Sequence, residues 1–333
     1  MIASHRQGFQ KGMMGMKMSK EKIVCHPAFA AVIAVICTLL WGTAFPCIKL
    51  GYEWFHIESG EVSSQLLFAG ARFFIAGLIV MVIGLIRHPK KMLLHKKDIL
   101  PISLLGFFQT FLQYLLLYTG IVHVSGTKSA IFTSLSAFGS VLLSAVVFKS
   151  DKLTLWKIAG CVIGVIGIIV MNLESDGFGG FLLLGDGLVI LSNLSGAAGN
   201  VISKKISPDR DPYQISSWQL MIGGAALIVI GLVSGGRLHF YDLRCVLMLL
   251  YLALMAGVAF MLWTMLLFHH PVSRIAVYNL LIPVFGAMWS ALFLGENVFT
   301  LNNILALLFV CSGIFLVNSQ LSFSKRSGHD RKS

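Results

Sequence analysis

The chain has 333 residues, of which 56% are hydrophobic and only 12% are charged, and its mean hydropathy is +0.83. Soluble domains carry about twice that share of charged residues, and no soluble core of this size could bury so many apolar side chains. The composition therefore excludes an ordinary soluble protein and indicates that lipid surrounds the chain. A net charge of +12 is compatible with nucleic-acid binding, but the placement of the basic residues argues against that partner.

Apolar runs of membrane-spanning length follow one another along the whole chain. A transmembrane helix needs roughly 20 mostly apolar residues. The runs are 28–50, 65–87, 98–120, 128–148, 153–173, 181–204, 213–234, 243–268, 274–294 and 299–320. The connections between them are short, which leaves no room for a soluble domain. The sequence thus predicts an all-α integral membrane protein with ten transmembrane helices.

The distribution of lysine and arginine predicts the orientation of these spans. With the N-terminus placed in the cytoplasm, 21 of the 26 basic residues fall on the inner side, three on the outer side, and Lys49 and Arg72 within spans. Cytoplasmic loops carry such an excess of basic residues. We therefore expect a multi-pass protein of the plasma membrane with the lipid bilayer, and no nucleic acid, as its large partner. The tails 1–27 and 321–333 are both expected in the cytoplasm, and Met18 is an alternative start.

The sequence repeats itself at about half its length. The run from Arg274 to Glu296 resembles the run from Ser129 to Asp151, about 145 positions earlier. The correspondence extends to further positions: Gly167–Asn172 with Gly313–Asn318, Arg72 with Gln219, and Gly77 with Gly224. We interpret 28–173 and 181–320 as two five-helix units. Because five is odd, the second unit enters the membrane from the opposite side, an inverted repeat of the kind found in secondary transporters.

Polar residues inside the spans are candidates for a substrate pathway, because lipid does not tolerate them. Arg72 lies roughly 10 Å of helix rise below the outer end of its span, and an arginine at such depth must face protein or water. A structural partner and a substrate contact are both open for it. Lys49 either reaches the interface or faces a cavity. Gln109 and Gln113 lie on one stripe with Tyr114 and Tyr118.

The remaining candidates come from the other spans. The sixth predicted span is the most polar and places Asn193 and Asn200 on one face. Such stripes indicate either hydrogen bonds between helices or the wall of a transport cavity, and we favour the cavity. Proline removes a backbone donor and kinks a helix, so helix kinks are expected at Pro46 and Pro283. The other predicted pathway residues are Trp41, Gln219, Trp263, Tyr278 and Asn279.

Several classes of function fit the sequence poorly. There is no P-loop for ATP-driven transport, no carboxylate or His/Ser/Asp set for catalysis, and no motif for a metal ion. A secondary-type carrier, which exports or facilitates a small polar metabolite by alternating access, is the leading hypothesis. A membrane-embedded enzyme or scaffold is the alternative. A homodimer remains open, as does proton coupling through Asp186, Glu296, an outer-loop glutamate or His123.

Short motifs in a fixed order carry a family resemblance. They are Leu40-Trp41-Gly42, Ala71-Arg72-Phe73, Thr127-Lys128-Ser129-Ala130, Gly185-Asp186, Ser273-Arg274-Ile275-Ala276 and the segment from Pro283 to Glu296. Over 28–320 the chain resembles EamA-type members of the drug/metabolite transporter superfamily. The resemblance implies a membrane carrier without bound cofactor, often an exporter of amino acids, other metabolites or toxic compounds, with a central cavity formed by both halves. Two positions depart from the pattern: Phe138 stands opposite Pro283, and Asp151 replaces the expected glutamate.

Overall fold

A computed structural model describes residues 24–58, 60–124, 126–171, 182–208, 210–294 and 301–329. Most of the predicted N-terminal tail, including Met18, lies outside the described residues, as do Glu296 and the end of the C-terminal tail. The side chains of the Thr127–Ala130 motif are outside them as well.

The described chain is built from helices. In chain order they are α1 Pro27–Trp54, α2 Val62–Arg87, α3 Lys96–Ile121, α4 Gly126–Val147, α5 Leu155–Met171, α6 Leu188–Ile206, α7 Pro212–Val233, α8 Leu243–His269, α9 Val272–Phe293 and α10 Leu301–His329. A short 3-10 helix, Pro89–Lys91, connects α2 to α3, and a π-helical turn, Leu183–Gly187, precedes α6. No strand occurs in the described ranges.

The helices distribute their side chains as a membrane protein does. Six of those described, α1, α2, α3, α7, α8 and α9, are long and apolar enough to cross a membrane. Shorter apolar stretches, Phe132–Val147, Leu155–Val170 and Ile304–Ser319, lie in α4, α5 and α10. Large apolar side chains such as Ile86, Val146 and Leu292 point outward, while α6 buries polar ones such as Asn193 and Asn200. Apolar groups outside and polar groups inside are what lipid requires, and the chain is an all-α integral membrane protein.

Small residues allow α2 and α7 to cross closely. A Cβ atom built on Gly70 would lie 2.9 Å from the carbonyl oxygen of Gly224, and one built on Gly77 would lie 2.7 Å from that of Ser217. Helix α5 crosses α10 in the same way, because a Cβ atom on Gly160 would lie 2.6 Å from the carbonyl oxygen of Gly313. Backbones that approach this closely gain dispersion contacts, which hold helices together in lipid.

The helices facing the interior are locally irregular. Residues Phe107–Leu112 of α3 form a π-helical turn, a feature that often occurs at functional sites. In α9 a 3-10 turn, Val277–Leu280, separates two α-helical parts, and Pro283 follows in the first turn of the second part. Pro46 is buried within α1, which runs without a break from Pro27 to Trp54. The change of helix type therefore lies next to Pro283 and not at Pro46.

Side-chain contacts define two ends of the bundle. The α1–α2 end is the end at which α1 stops and α2 begins. There Ser64 Oγ accepts a hydrogen bond from the backbone N–H of Arg237, which lies in the connection between α7 and α8. At the α2–α3 end, where α2 ends and α3 begins, Gln214 of α7 donates to the Leu93 carbonyl. The helices thus run up and down between the two ends.

Three buried carboxylates join neighbouring connections at the α2–α3 end. Asp98 pairs with Arg210 (2.9 Å), and Asp211 pairs with His88 (2.7 Å). Asp151, after α4, accepts from Lys157 Nζ (2.6 Å) and from the backbone N–H (3.1 Å) and hydroxyl of Ser273 at the start of α9. Burial by itself would raise the pKa of the Asp151 carboxyl, but the hydrogen bonds outweigh burial and lower that pKa. This end is closed by charge-assisted contacts.

Candidate functional site

A cavity of about 670 Å³ lies between α1, α2, α3, α4, α6, α8 and α9. It begins at the α1–α2 end, where Gly60 and Val122 are exposed. Eleven of the predicted pathway residues line it: Trp41, Lys49, Arg72, Gln109, Gln113, Tyr114, Tyr118, Asn193, Asn200, Trp263 and Asn279. The π-helical turn of α3 presents Gln109 to this space, and the turn after it presents Gln113. Polar groups that are separated in sequence by more than 200 residues thus share one interior surface.

Asn200 of α6 forms the centre of the polar floor. Its Oδ1 accepts hydrogen bonds from Gln109 Nε2 of α3 (3.1 Å) and Trp263 Nε1 of α8 (3.0 Å), and its Nδ2 donates to Ser140 Oγ of α4 (3.2 Å). Helices α3 and α6 approach closely here, since a Cβ atom on Gly199 would lie 2.5 Å from Gln109 Cβ. One side chain therefore ties four helices together and fixes the depth of the cavity.

Aromatic rings form much of the wall. Trp41 of α1 packs edge to face against Phe260 and Trp263 of α8, with ring centroids 5.4 and 5.1 Å apart. Tyr114 of α3 lies 4.4 Å from Phe73 of α2 between ring centroids. Edge-to-face pairs such as the two formed by Trp41 add stability beyond the area that they bury. The cavity therefore offers flat apolar surfaces beside its amide groups.

Arg72 is the charged group deepest in this wall. Its side chain is 3% exposed, and neither Nε nor Nη1 has a hydrogen-bond partner among the described residues. The guanidinium carbon lies 4.4 Å from the ring centroid of Phe73 and 5.9 Å from that of Tyr114. The rings stabilise the cation, whereas Nε and Nη1 have no acceptor among the described residues. The sequence leaves two roles open for Arg72, a structural hydrogen bond and a contact with substrate. The described part of the chain offers no structural hydrogen-bond partner to Nε or Nη1.

Lys49 is the second cation of the cavity. It is exposed near the mouth, one helical turn before Tyr52, which also lines the space. Among the described lining residues there is no aspartate, glutamate or histidine. Within the described lining, no acidic side chain balances the positive charges of Lys49 and Arg72.

Two predicted pathway residues lie elsewhere. Gln219 of α7 is completely buried against α3, where a Cβ atom on Gly106 would lie 2.9 Å from its carbonyl oxygen. Tyr278 packs in an apolar cluster with Leu280 and Val310. Neither is among the described residues that line the cavity. Alignment of the two halves predicts Gln219, and proximity to Asn279 predicts Tyr278. Neither argument determines the direction in which a side chain points.

Sequence reasoning missed about half of the lining. Phe260 and Tyr52 lie one turn from Trp263 and Lys49, so helical spacing could have found them. Ser192 and Ser136 give no comparable signal, because single serines are common in the packed interfaces of membrane helices. The other missed lining residues are Ala44, Phe45, Ile48, Gly60, Gln65, Leu117, Ile121, Val122, Thr133, Gly196 and Ile282.

Fold and cavity together define the class: a multi-pass α-helical membrane protein with a polar and aromatic interior cavity. Comparison with known proteins gives the family. The sequence profile of the EamA-like transporter family matches residues 28–173 and 183–319, and the chain belongs to that family.

Similar proteins are named as transporters. A "Probable amino-acid metabolite efflux pump" of Salmonella typhimurium is 28% identical over 281 residues, which are 80% of this chain and 87% of that protein. The protein of the same name from Escherichia coli is 26% identical over 86% of this chain and 93% of its own length. YvbV of Bacillus subtilis, an "Uncharacterized transporter", is 25% identical over 89% of this chain and 93% of its own length. These names indicate membrane transporters and not enzymes.

A solved crystal structure has the same fold. It superimposes with a TM-score of 0.74 at 16% sequence identity, and the match covers 88% of this chain and 97% of that one. At this level of identity the likeness concerns the fold alone.

Proposed function

We propose that this protein is a secondary-type transporter that exports or facilitates a small polar metabolite, amino-acid-like or drug-like, through the central cavity by alternating access. The observation that carries the proposal is the cavity itself. A bundle with an apolar outer surface keeps Gln109, Gln113, Asn193 and Asn200 around an interior space whose described lining extends to the α1–α2 end. Transporters place their substrate sites at such positions between helices.

The packing supports two inverted five-helix repeats, 28–173 and 181–320, with ten spans. In the proposed repeat, Gly70 corresponds to Ser217, and Gly77 corresponds to Gly224. Exchanging the two halves therefore turns the contact Gly70–Gly224 into the contact Ser217–Gly77, and the structure contains both contacts. The same exchange relates two contacts between α5 and α10, Gly160–Gly313 and Gly167–Ala306, which also both occur. Contacts that interchange in this way are expected of a pseudo-two-fold axis that passes through both crossings.

Charge placement gives the proposed orientation. Most basic residues fall on the side that holds the α2–α3 end, which makes it cytoplasmic in the plasma membrane and puts both termini there. The cavity then opens to the outside, and the carboxylate contacts of Asp98, Asp151 and Asp211 close the inner end. Alternating access requires these contacts to break as the outer mouth closes.

A flux assay tests the proposal. The full chain, reconstituted into liposomes, should move a labelled metabolite down an imposed gradient, with rates that saturate. Asn200→Leu is the inactive comparison, because leucine cannot form the four-helix floor. Comparing flux with and without a proton gradient then separates coupled transport from facilitated diffusion. If no amino acid, other metabolite or drug moves under any gradient, the proposal fails. A soluble product without net flux would favour the alternative, an embedded enzyme or scaffold.

A further inference from the structure

The starting observation is a buried cation, Arg72, with two donor atoms that have no acceptor among the described residues. Arg72 Nε and Nη1 are buried and unpaired within the described part of the chain, and the guanidinium carbon lies 4.4 Å from the centroid of the Phe73 ring. A guanidinium donates in its plane and has no acceptor of its own. Leaving such charged donors without acceptors in the interior is unfavourable. Arg72 also lines the cavity, so an acceptor group that enters the cavity can approach this side chain.

The charge of the wall indicates what kind of acceptor this is. Lys49 and Arg72 supply two positive charges, and the described lining supplies no carboxylate. On the wall formed by α9, Asn279 Oδ1 is buried and has no hydrogen-bond partner among the described residues. A neutral amide oxygen can accept a hydrogen bond from a hydroxyl or amide, but it does not neutralise an ammonium group. The cavity is therefore suited to anions and unfavourable for cations.

The rest of the wall indicates the body of the ligand. Trp41, Phe260 and Trp263 form one connected edge-to-face group, and Phe45 and Ile282 add further apolar surface. Flat rings pack against apolar or aromatic groups. A small, fully hydrated inorganic anion would gain little from this surface.

We propose that the cavity selects organic monoanions, in which a carboxylate binds Arg72 and an apolar or aromatic body packs against Trp41 and Trp263. The planar donors of arginine match the two oxygens of a carboxylate. This inference deepens the proposed transport function and rests on it for its physiological meaning. It differs from that function in naming charge as the basis of selection: a free amine on the same body lowers affinity.

Binding of a charge series to the full chain in detergent tests this selection. The probes share one body and differ in charge: phenylpropionate, phenylalanine, phenylpropanamide and phenylpropylamine. Calorimetry should show tightest binding for the carboxylate and weakest for the amine. Arg72→Gln should weaken the carboxylate by roughly 10- to 100-fold, the range of a lost charge-assisted hydrogen bond, and should leave the neutral amide nearly unchanged. Arg72→Lys, which keeps the charge, should recover part of the loss.

Controls separate local chemistry from net charge and from misfolding. Arg87→Gln removes the same charge at an exposed position at the end of α2 and should not change carboxylate binding. If Arg72→Gln fails to fold, the affinities of the four probes for the wild-type protein still test the charge preference. Equal affinity across the series, tightest binding of the amine, or no binding of phenylpropionate would overturn the proposal. Carboxylate binding without flux in liposomes would support the anion site and contradict the proposed transport function. Flux without charge preference would support transport and contradict the anion site.

Discussion

Gly70 and Gly224 contact each other where α2 crosses α7. A Cβ atom built on either glycine would lie 2.9 Å from the carbonyl oxygen of the other. Any side chain at this point must push the two helices apart. The helices cross beside the cavity, because Arg72 lies two residues after Gly70.

Gly224→Ala should therefore destabilise the protein. The added methyl would also meet the Phe74 backbone N–H at 2.6 Å, and overpacking of a tight contact costs roughly 1–3 kcal/mol. Thermal unfolding in detergent should show a lower midpoint. Gly60→Ala is the control, because a Cβ atom there has no neighbour within 4 Å.

Gly77→Ala tests the repeat through the same measurement. If Gly77 corresponds to Gly224, the two substitutions fall at equivalent positions of the crossing between α2 and α7, since a Cβ atom on Gly77 would lie 2.7 Å from the Ser217 carbonyl oxygen. The two losses of stability should agree within about a factor of two, in line with the usual context dependence of overpacking. A loss confined to one of the two positions would argue against their equivalence.

The hydrogen bond between Asn200 and Trp263 should be measurable as a coupling free energy. Asn200→Leu leaves Gln109 Nε2 and Trp263 Nε1 without their acceptor, and each orphaned buried donor costs roughly 1–3 kcal/mol. Trp263→Phe removes one donor and keeps an aromatic ring. A double-mutant cycle on unfolding free energies should give a coupling of roughly 0.5–3 kcal/mol between the two positions. Strictly additive changes in unfolding free energy would mean that the hydrogen bond between Asn200 and Trp263 does not contribute to stability.

Asp151→Asn should loosen the α2–α3 end. The asparagine keeps the size but loses the charge that Lys157 contacts at 2.6 Å, so the connection from α4 to α9 through Ser273 is weakened. Under the proposed mechanism this shifts the population towards the conformation that opens at this end. A cysteine introduced at Ser140, below the Asn200 floor, should react faster with a membrane-impermeant thiol reagent added from the α2–α3 side. Lys149→Gln, an exposed charge nearby, serves as the comparison.

The same carboxylate predicts a pH dependence. Hydrogen bonds hold the Asp151 pKa below its ordinary value of 3.8 in the folded protein. A depressed carboxyl pKa stabilises the fold above the unfolded pKa, and the contribution is lost as the pH falls through the folded pKa. The difference in unfolding midpoint between wild type and Asp151→Asn should be constant above about pH 5, more than one unit above that ordinary value, and should shrink below pH 3.8. A difference that grows on acidification would contradict this assignment.

Tertiary packing also changed the interpretation of single residues. His269 and His270 look like a pair of loop residues in the sequence, but only His269 is exposed. His270 is buried and its Nε2 lies 3.0 Å from the Val24 carbonyl. Burial lowers the pKa of His270, because it disfavours the charged imidazolium. A contact between positions 246 residues apart has no local pattern from which it could be predicted.

By itself, the sequence determined that this is an all-α membrane protein of the EamA-like family, and it picked out most of the polar residues that meet inside. The physical reason is the lipid, which makes apolar length and buried polarity visible in composition and helical spacing. Only the tertiary structure decided that Gln219 and Tyr278 pack away from the cavity while Phe260 and Tyr52 line it. It also showed that Arg72 contacts aromatic rings and, in the described part of the chain, pairs with no carboxylate. Those outcomes depend on which faces of separate helices meet, and neither periodicity nor charge placement specifies that.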